Sequence, residues 1–333
     1  MLPRNLLIRQ PFLQGAKNAI NGFFVRRRLT VKRPIPVLAW VLMAGSACPQ
    51  IPDDLAALYR YDPATPLNIE QKELASRKGY RLYSISYALP KGGHMPGLLV
   101  TPTEPGRKPA IVWMHSGGAI RFLGNAVLMA RAGAVSLLVG EAEGLSGGTA
   151  EQARDQLIAD VIGLRRAADL LGAQRDVDPS RLSLVGHSSG AMMGAVAASV
   201  DDRFRSAVFE VGLLGMSIHI ATSPGSWAEG VRKELGDQLP RFLTVISVVD
   251  AKNYIGHGPA IPKLFQSALQ DPGVPSKDAE DFFKAATPPK ELKWYDSGHD
   301  IDDIAALVDR ARFLAKTLHL GNIERQLQMK NGR

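Results

Sequence analysis

Leu182-Ser183-Leu184-Val185-Gly186-His187-Ser188-Ser189-Gly190-Ala191 decides the fold. An apolar stretch runs straight into Gly-x-Ser-x-Gly, and Ala191, Met192, Met193, Gly194 and Ala195 carry on from it with small and flexible residues suited to a helix. A strand, a tight turn and a helix around a serine lift that hydroxyl clear of the edge of a sheet. The turn holds the serine in a strained backbone conformation. Glycines at 186 and 190 remove the Cβ atoms that would collide with the neighbouring strand and helix. The sequence therefore predicts Ser188 as an exposed nucleophile.

A hydroxyl is a weak nucleophile at neutral pH, so the reading requires a base and an acid further along the chain. Residues 242–249 (Phe-Leu-Thr-Val-Ile-Ser-Val-Val) are β-branched and uncharged, read as a buried strand, and end at Asp250. That places Asp250 at a strand's carboxyl end, where open parallel sheets gather their chemistry. Residues 291–296 read as a shorter strand, followed by Ser297-Gly298-His299-Asp300 and a helical pattern from Ile301, with Asp300 and Asp302 as first-turn acids. Glu210, which ends the strand around residues 207–209, is the alternative acid. His257, seven residues past Asp250, is the alternative base, but it belongs to the acid's own loop and precedes the last strand.

The order serine, acid, histidine resembles that of the α/β-hydrolase superfamily, and within it the dienelactone-hydrolase and acetyl-xylan-esterase-like group. The segments that carry the resemblance are residues 186–190, the strand ending in Asp250, Tyr295-Asp296-Ser297-Gly298-His299 and Met114-His115-Ser116-Gly117-Gly118. It covers about residues 52–318 and is specific for fold and reaction class rather than for substrate. It implies a mostly parallel central sheet with helices on both faces. The loop 115–118 stands where related esterases carry a His-Gly-Gly oxyanion loop, with Ser116 in place of a common glycine. The expected oxyanion donors are the amides of Ser189 and Gly117, with Gly118 as a second candidate for the loop donor.

Of the remaining histidines, His115 and His187 sit in the oxyanion loop and the elbow, where packing and hydrogen bonding are the expected roles; His94, His219 and His319 read as solvated or core residues. No histidine pair has the helical spacing of a zinc site, and the region after the leader has no cysteine. The sequence implies no metal and no cofactor.

Composition agrees with one catalytic domain over residues 49–333: the 333-residue chain is 45% hydrophobic and 22% charged. Its net charge of +8 suggests a polyanionic partner until the charges are located. Residues 1–48 hold eight of the 40 basic residues and none of the 32 acidic ones, so the body balances 32 against 32. No basic stripe for nucleic acid is left. In the leader, basic residues precede the apolar run 34–44, too short for a comfortable membrane span, and Gly45, Ser46 and Ala47 follow. This is the order of a secretory signal, and it predicts export, with Cys48 placed where a bacterial lipoprotein carries its lipid. Stable membrane insertion is not expected apart from such a leader anchor.

Along the body, residues 80–89 and 98–101 read as strands joined at Lys91-Gly92-Gly93, residues 110–114 and 135–139 as further strands, and 123–132 and 151–171 as helices. Alternating strand and helix predict a parallel sheet with right-handed crossovers. Residues 271–289, rich in proline and charge, read as a surface excursion. The functional expectation is a serine hydrolase of carboxylic esters acting on a small molecule, with Ser188, His299 and Asp250 as its triad. A prolyl-oligopeptidase-type amide hydrolase and a non-catalytic binding member of the fold are the alternatives.

Overall fold

A computed structural model describes residues 50–144 and 148–331. The leader, with the export expectation and the lipidation expectation at Cys48, lies outside the described residues. The described chain opens with a short helix α1 (Asp53–Ala57) and three antiparallel strands, β1 (Glu70–Arg77), β2 (Tyr80–Ala88) and β3 (His94–Pro102). Then come β4 (Lys108–His115), α2 (Leu123–Arg131), β5 (Val135–Val139), α3 (Ala150–Ala173), β6 (Val177–His187), α4 (Ser189–Val200) and β7 (Phe204–Glu210). Three helices follow, α5 (Met216–Thr222), α6 (Ser226–Leu235) and α7 (Leu239–Ile246). The chain continues through β8 (Lys263–Ala268), α8 (Ser276–Ala285), β9 (Lys290–Tyr295), α9 (Ile304–Leu318) and α10 (Ile323–Asn331).

The nine strands form one sheet in the order β1-β2-β3-β5-β4-β6-β7-β8-β9, parallel from β5 to β9 and antiparallel before it. The alternation of β4 shows how the two faces are built. Ala110, Val112 and Met114 pack with Val161, Leu164 and Val196 of α3 and α4, whereas Ile111 and Trp113 pack with Met129, Leu314 and Leu327 of α2, α9 and α10. Both faces of the parallel strands are therefore covered, and β4, β5 and β8 are buried at every position. Among the described residues no helix is long and apolar enough to cross a membrane.

Residues 242–249 are not a strand. They form most of α7 and the 3-10 turn Ser247–Val249. Phe242 and Ile246, one helical turn apart, face a cluster with Ile220, Val231 and Leu235, and Pro240 opens the helix where its missing N–H costs nothing. The strand expected there is β8, whose Lys263 and Gln266 disguise a fully buried element. The Lys263 ammonium donates to the carbonyls of Pro259, Ile261 and Thr287, and the Gln266 amide to Tyr295 and the Ala306 carbonyl. The stretch 271–289 contains helix α8 rather than only an excursion. The last long helix starts at Ile304, capped by the Asp303 carboxylate bonding the Ala305 amide at 2.7 Å; Asp300 instead pairs with Arg121 at 2.7 Å.

Candidate active site

The elbow between β6 and α4 holds Ser188 at φ 56° and ψ −119°, a left-handed conformation costly for any residue with a side chain. The Ser188 N–H donates to the Glu210 carbonyl at 2.9 Å, which ties the turn to the end of β7. The flanking glycines are needed for approach rather than for left-handed backbone. A Cβ at 186 would sit 2.2 Å from the Gly190 carbonyl oxygen, and one at 190 would sit 2.2 Å from that of Met114. Gly190→Ala is accordingly expected to lower stability by about 2 kcal/mol or more, read as a shift in the denaturant midpoint. A midpoint within experimental error of the parent would contradict this packing.

His299 reaches the serine from the loop after β9, with Nε2 2.9 Å from Ser188 Oγ and Nδ1 2.8 Å from Asp271 Oδ2. A carboxylate opposite Nδ1 fixes the proton there, leaving Nε2 as the acceptor for the serine proton. Asp271 is almost fully buried just past β8, while His299 keeps 18% of its side chain exposed. The other Asp271 oxygen accepts the amides of Gly273 (2.7 Å) and Val274 (3.0 Å), so the turn orients the carboxylate toward the imidazole.

The expected acid is thereby corrected from Asp250 to Asp271. Asp250 is buried, and its carboxylate accepts both the Ser217 amide and the Ser217 hydroxyl at the start of α5, with Lys252 3.8 Å away. Burial pushes its carboxyl upward, against the charged form an imidazolium needs beside it. Its work is to pin α5: a Cβ on Gly215 would lie 2.1 Å from the Asp250 carboxyl carbon. Glu210 is also committed elsewhere, in a buried ion pair with Arg310, whose guanidinium also meets Gln266 and Asn125. His257 is not the histidine that meets the serine.

The oxyanion loop also departs from expectation. The Gly117 amide donates to His115 Nδ1 at 2.8 Å and the Gly118 amide to the His115 carbonyl at 2.9 Å, so both loop donors are spent within the loop. The Ser189 amide remains, in the first turn of α4 where no carbonyl of the helix lies behind it.

Behind the loop, His115 stacks on His187 with centroids 3.9 Å apart and planes 6° from parallel. Burial lowers His115 to about 3 and holds His187 well below its usual range, so both rings are neutral. His187 Nε2 meets the His299 carbonyl at 2.7 Å and must donate, so its Nδ1 accepts from the Ser116 hydroxyl at 3.3 Å. The elbow histidine thus steadies the backbone of the loop that carries His299, in the packing and hydrogen-bonding role expected of it. His115, His187 and Asp300 bring ligand atoms within 4.8 Å of one another. Parallel stacked imidazoles cannot both hold one ion in their ring planes, so this trio does not fit a metal site.

Asp160 of α3 lies buried under the loop after β5, accepting the Ala142 amide at 2.7 Å and the Gln156 amide at 3.3 Å. Burial raises it from 3.8 to about 8. The folded state thus keeps a proton that the unfolded chain releases near pH 4, so its stabilising effect is full below that value and is lost as pH rises toward about 8. Asp160→Asn should flatten this part of the stability profile. Thermal unfolding at pH 5 and pH 9 checks it, and an unchanged difference between the two would contradict the assignment.

A model described as the prolyl oligopeptidase family matches residues 150–302, a span containing Ser188, Asp271 and His299. No curated protein matches the sequence. Acetyl xylan esterase 1 from Thermoanaerobacterium sp. JW/SL YS485 superposes with a TM-score of 0.68 at 17% identity, over 82% of this chain and 95% of that one. The acetyl xylan esterase from Paenibacillus sp. R4 gives 0.67 at 20%, over 79% and 92%. A prolyl endopeptidase gives 0.57 at 20%, over 74% of this chain and 40% of that one. The sheet order, the strained serine between β6 and α4 and these likenesses make the chain an α/β-hydrolase-fold protein of the serine-hydrolase type.

Proposed function

We propose that the protein hydrolyses carboxylic esters through an acyl-enzyme on Ser188. The observation that carries the reading is the continuous hydrogen-bond line Ser188 Oγ to His299 Nε2 and His299 Nδ1 to Asp271 Oδ2, at 2.9 and 2.8 Å. In acylation His299 Nε2 takes the hydroxyl proton as Oγ bonds to the ester carbonyl carbon, and the carbonyl oxygen gains the negative charge, facing the Ser189 amide. Collapse expels the alkoxide, which leaves as the alcohol with the proton from His299. Water then repeats the two steps and releases the acid. Asp271 fixes the imidazole tautomer and offsets the charge of the imidazolium.

Two solved acetyl xylan esterases covered over more than nine-tenths of their length support esters as the substrate class. The prolyl oligopeptidase match favours a second reading, hydrolysis of amides by the same residues. On either reading residues 1–48 serve as an export leader. Labelling by a fluorophosphonate at Ser188, followed by matched nitrophenyl esters and peptide anilides, tests both. Labelling with ester turnover supports the first reading, and anilide turnover in excess of ester turnover would replace it with the second. A protein that takes no label has no activated serine.

A further inference from the structure

The cleft beside His299 is about 980 Å³ and is walled by carboxylates: Glu141 and Glu143 from the loop after β5, and Asp300 and Asp302 from the loop after His299. Their surroundings differ. Asp300 is paired with Arg121, and Glu143 lies 3.1 Å from His94. Glu141 lines the same cleft as the loop 115–118 and has neither a hydrogen bond nor an ion pair among the described residues. The nearby acid Asp160 is buried and, among the described residues, bonded only to amides. Half-buried and without a compensating cation, the Glu141 carboxyl is pushed up to about 7. A carboxyl so placed gains most from a ligand that brings positive charge, because the cation supplies what the lost solvent no longer does.

Resting on the esterase reading, we propose that Glu141 is a specificity residue that receives a cationic group on the leaving-group side of the substrate, so that amine- or ammonium-bearing alcohols are preferred. The surrounding wall favours the same sign: Glu143, Asp300 and Asp302 face the cleft against Arg121 as the cation, while His115 and His187 are neutral. An anionic leaving group meets four carboxyls there and is disfavoured.

The test uses two acetate esters of one shape, 2-(trimethylammonio)ethyl acetate and its uncharged isostere 3,3-dimethylbutyl acetate. The expected kcat/KM ratio, cationic over neutral, is about tenfold or more, carried by KM. Glu141→Gln should bring the ratio close to one and Glu141→Lys below one, with circular dichroism and melting confirming that each variant is folded. A ratio near one in the parent, or one that survives Glu141→Gln, overturns the inference while leaving the esterase reading intact. Failure to hydrolyse either ester, or any nitrophenyl ester, overturns both.

Discussion

Ser188→Ala should abolish ester turnover in a protein that remains folded, with kcat falling on the order of 10³ to 10⁶. In the proposed reaction the hydroxyl is the atom that bonds to substrate, and alanine leaves the elbow a side chain no larger than the one it already accommodates at φ 56°. His299→Ala should be as damaging, because among the described residues the serine hydroxyl has no other proton acceptor at 2.9 Å, and the double variant should be little worse than either single one. His257→Ala provides the contrast and should leave turnover within about tenfold of the parent. Steady-state kinetics on one activated ester, with circular dichroism of each variant, decides the matter. More than a few per cent of parental activity in folded Ser188→Ala would assign the nucleophile elsewhere.

What was legible in the sequence and what was not divides along a physical line. The elbow was readable because its chemistry is local: a strand, Gly-x-Ser-x-Gly and a helix occupy one continuous stretch, and each glycine answers a clash within a few residues or with the adjacent strand. His299 was readable because it follows the final strand directly. The acid failed because two elements traded appearances. α7 is β-branched and apolar along one helical face, which imitates a buried strand, and the signal against it was Pro240 at the first turn together with the Phe242 and Ile246 spacing. β8 carries a lysine and a glutamine that long-range partners satisfy, and those partners, Thr287, Tyr295 and Ala306, come from distant parts of the chain. The oxyanion loop failed for a related reason. Gly117 and Gly118 give the backbone its freedom, but where their amides point depends on the ring of His115, which the stack with His187 holds in place.

Asp271→Asn should lower kcat by about 10⁴ while Asp250→Asn stays within about tenfold, which separates the two buried acids that the sequence confuses. At 271 the carboxylate holds Nδ1 of His299 in its protonated form. The Gly273 and Val274 amides would hold an asparagine oxygen in place and turn its NH₂ toward the imidazole. Nδ1 must then accept, the proton moves to Nε2, and Ser188 faces a donor where it needs an acceptor. At 250 the consequence is different. The asparagine oxygen still accepts the Ser217 amide, and the Ser217 hydroxyl turns to accept from the new NH₂, so α5 stays anchored. Burial pushes the Asp250 carboxyl upward, so its charge is disfavoured where it stands. Saturating-substrate kinetics on the two variants, with melting curves alongside, give the comparison. A near-native kcat for Asp271→Asn beside a collapse in Asp250→Asn would return the acid to position 250 and require the His299 loop to close differently when substrate is bound.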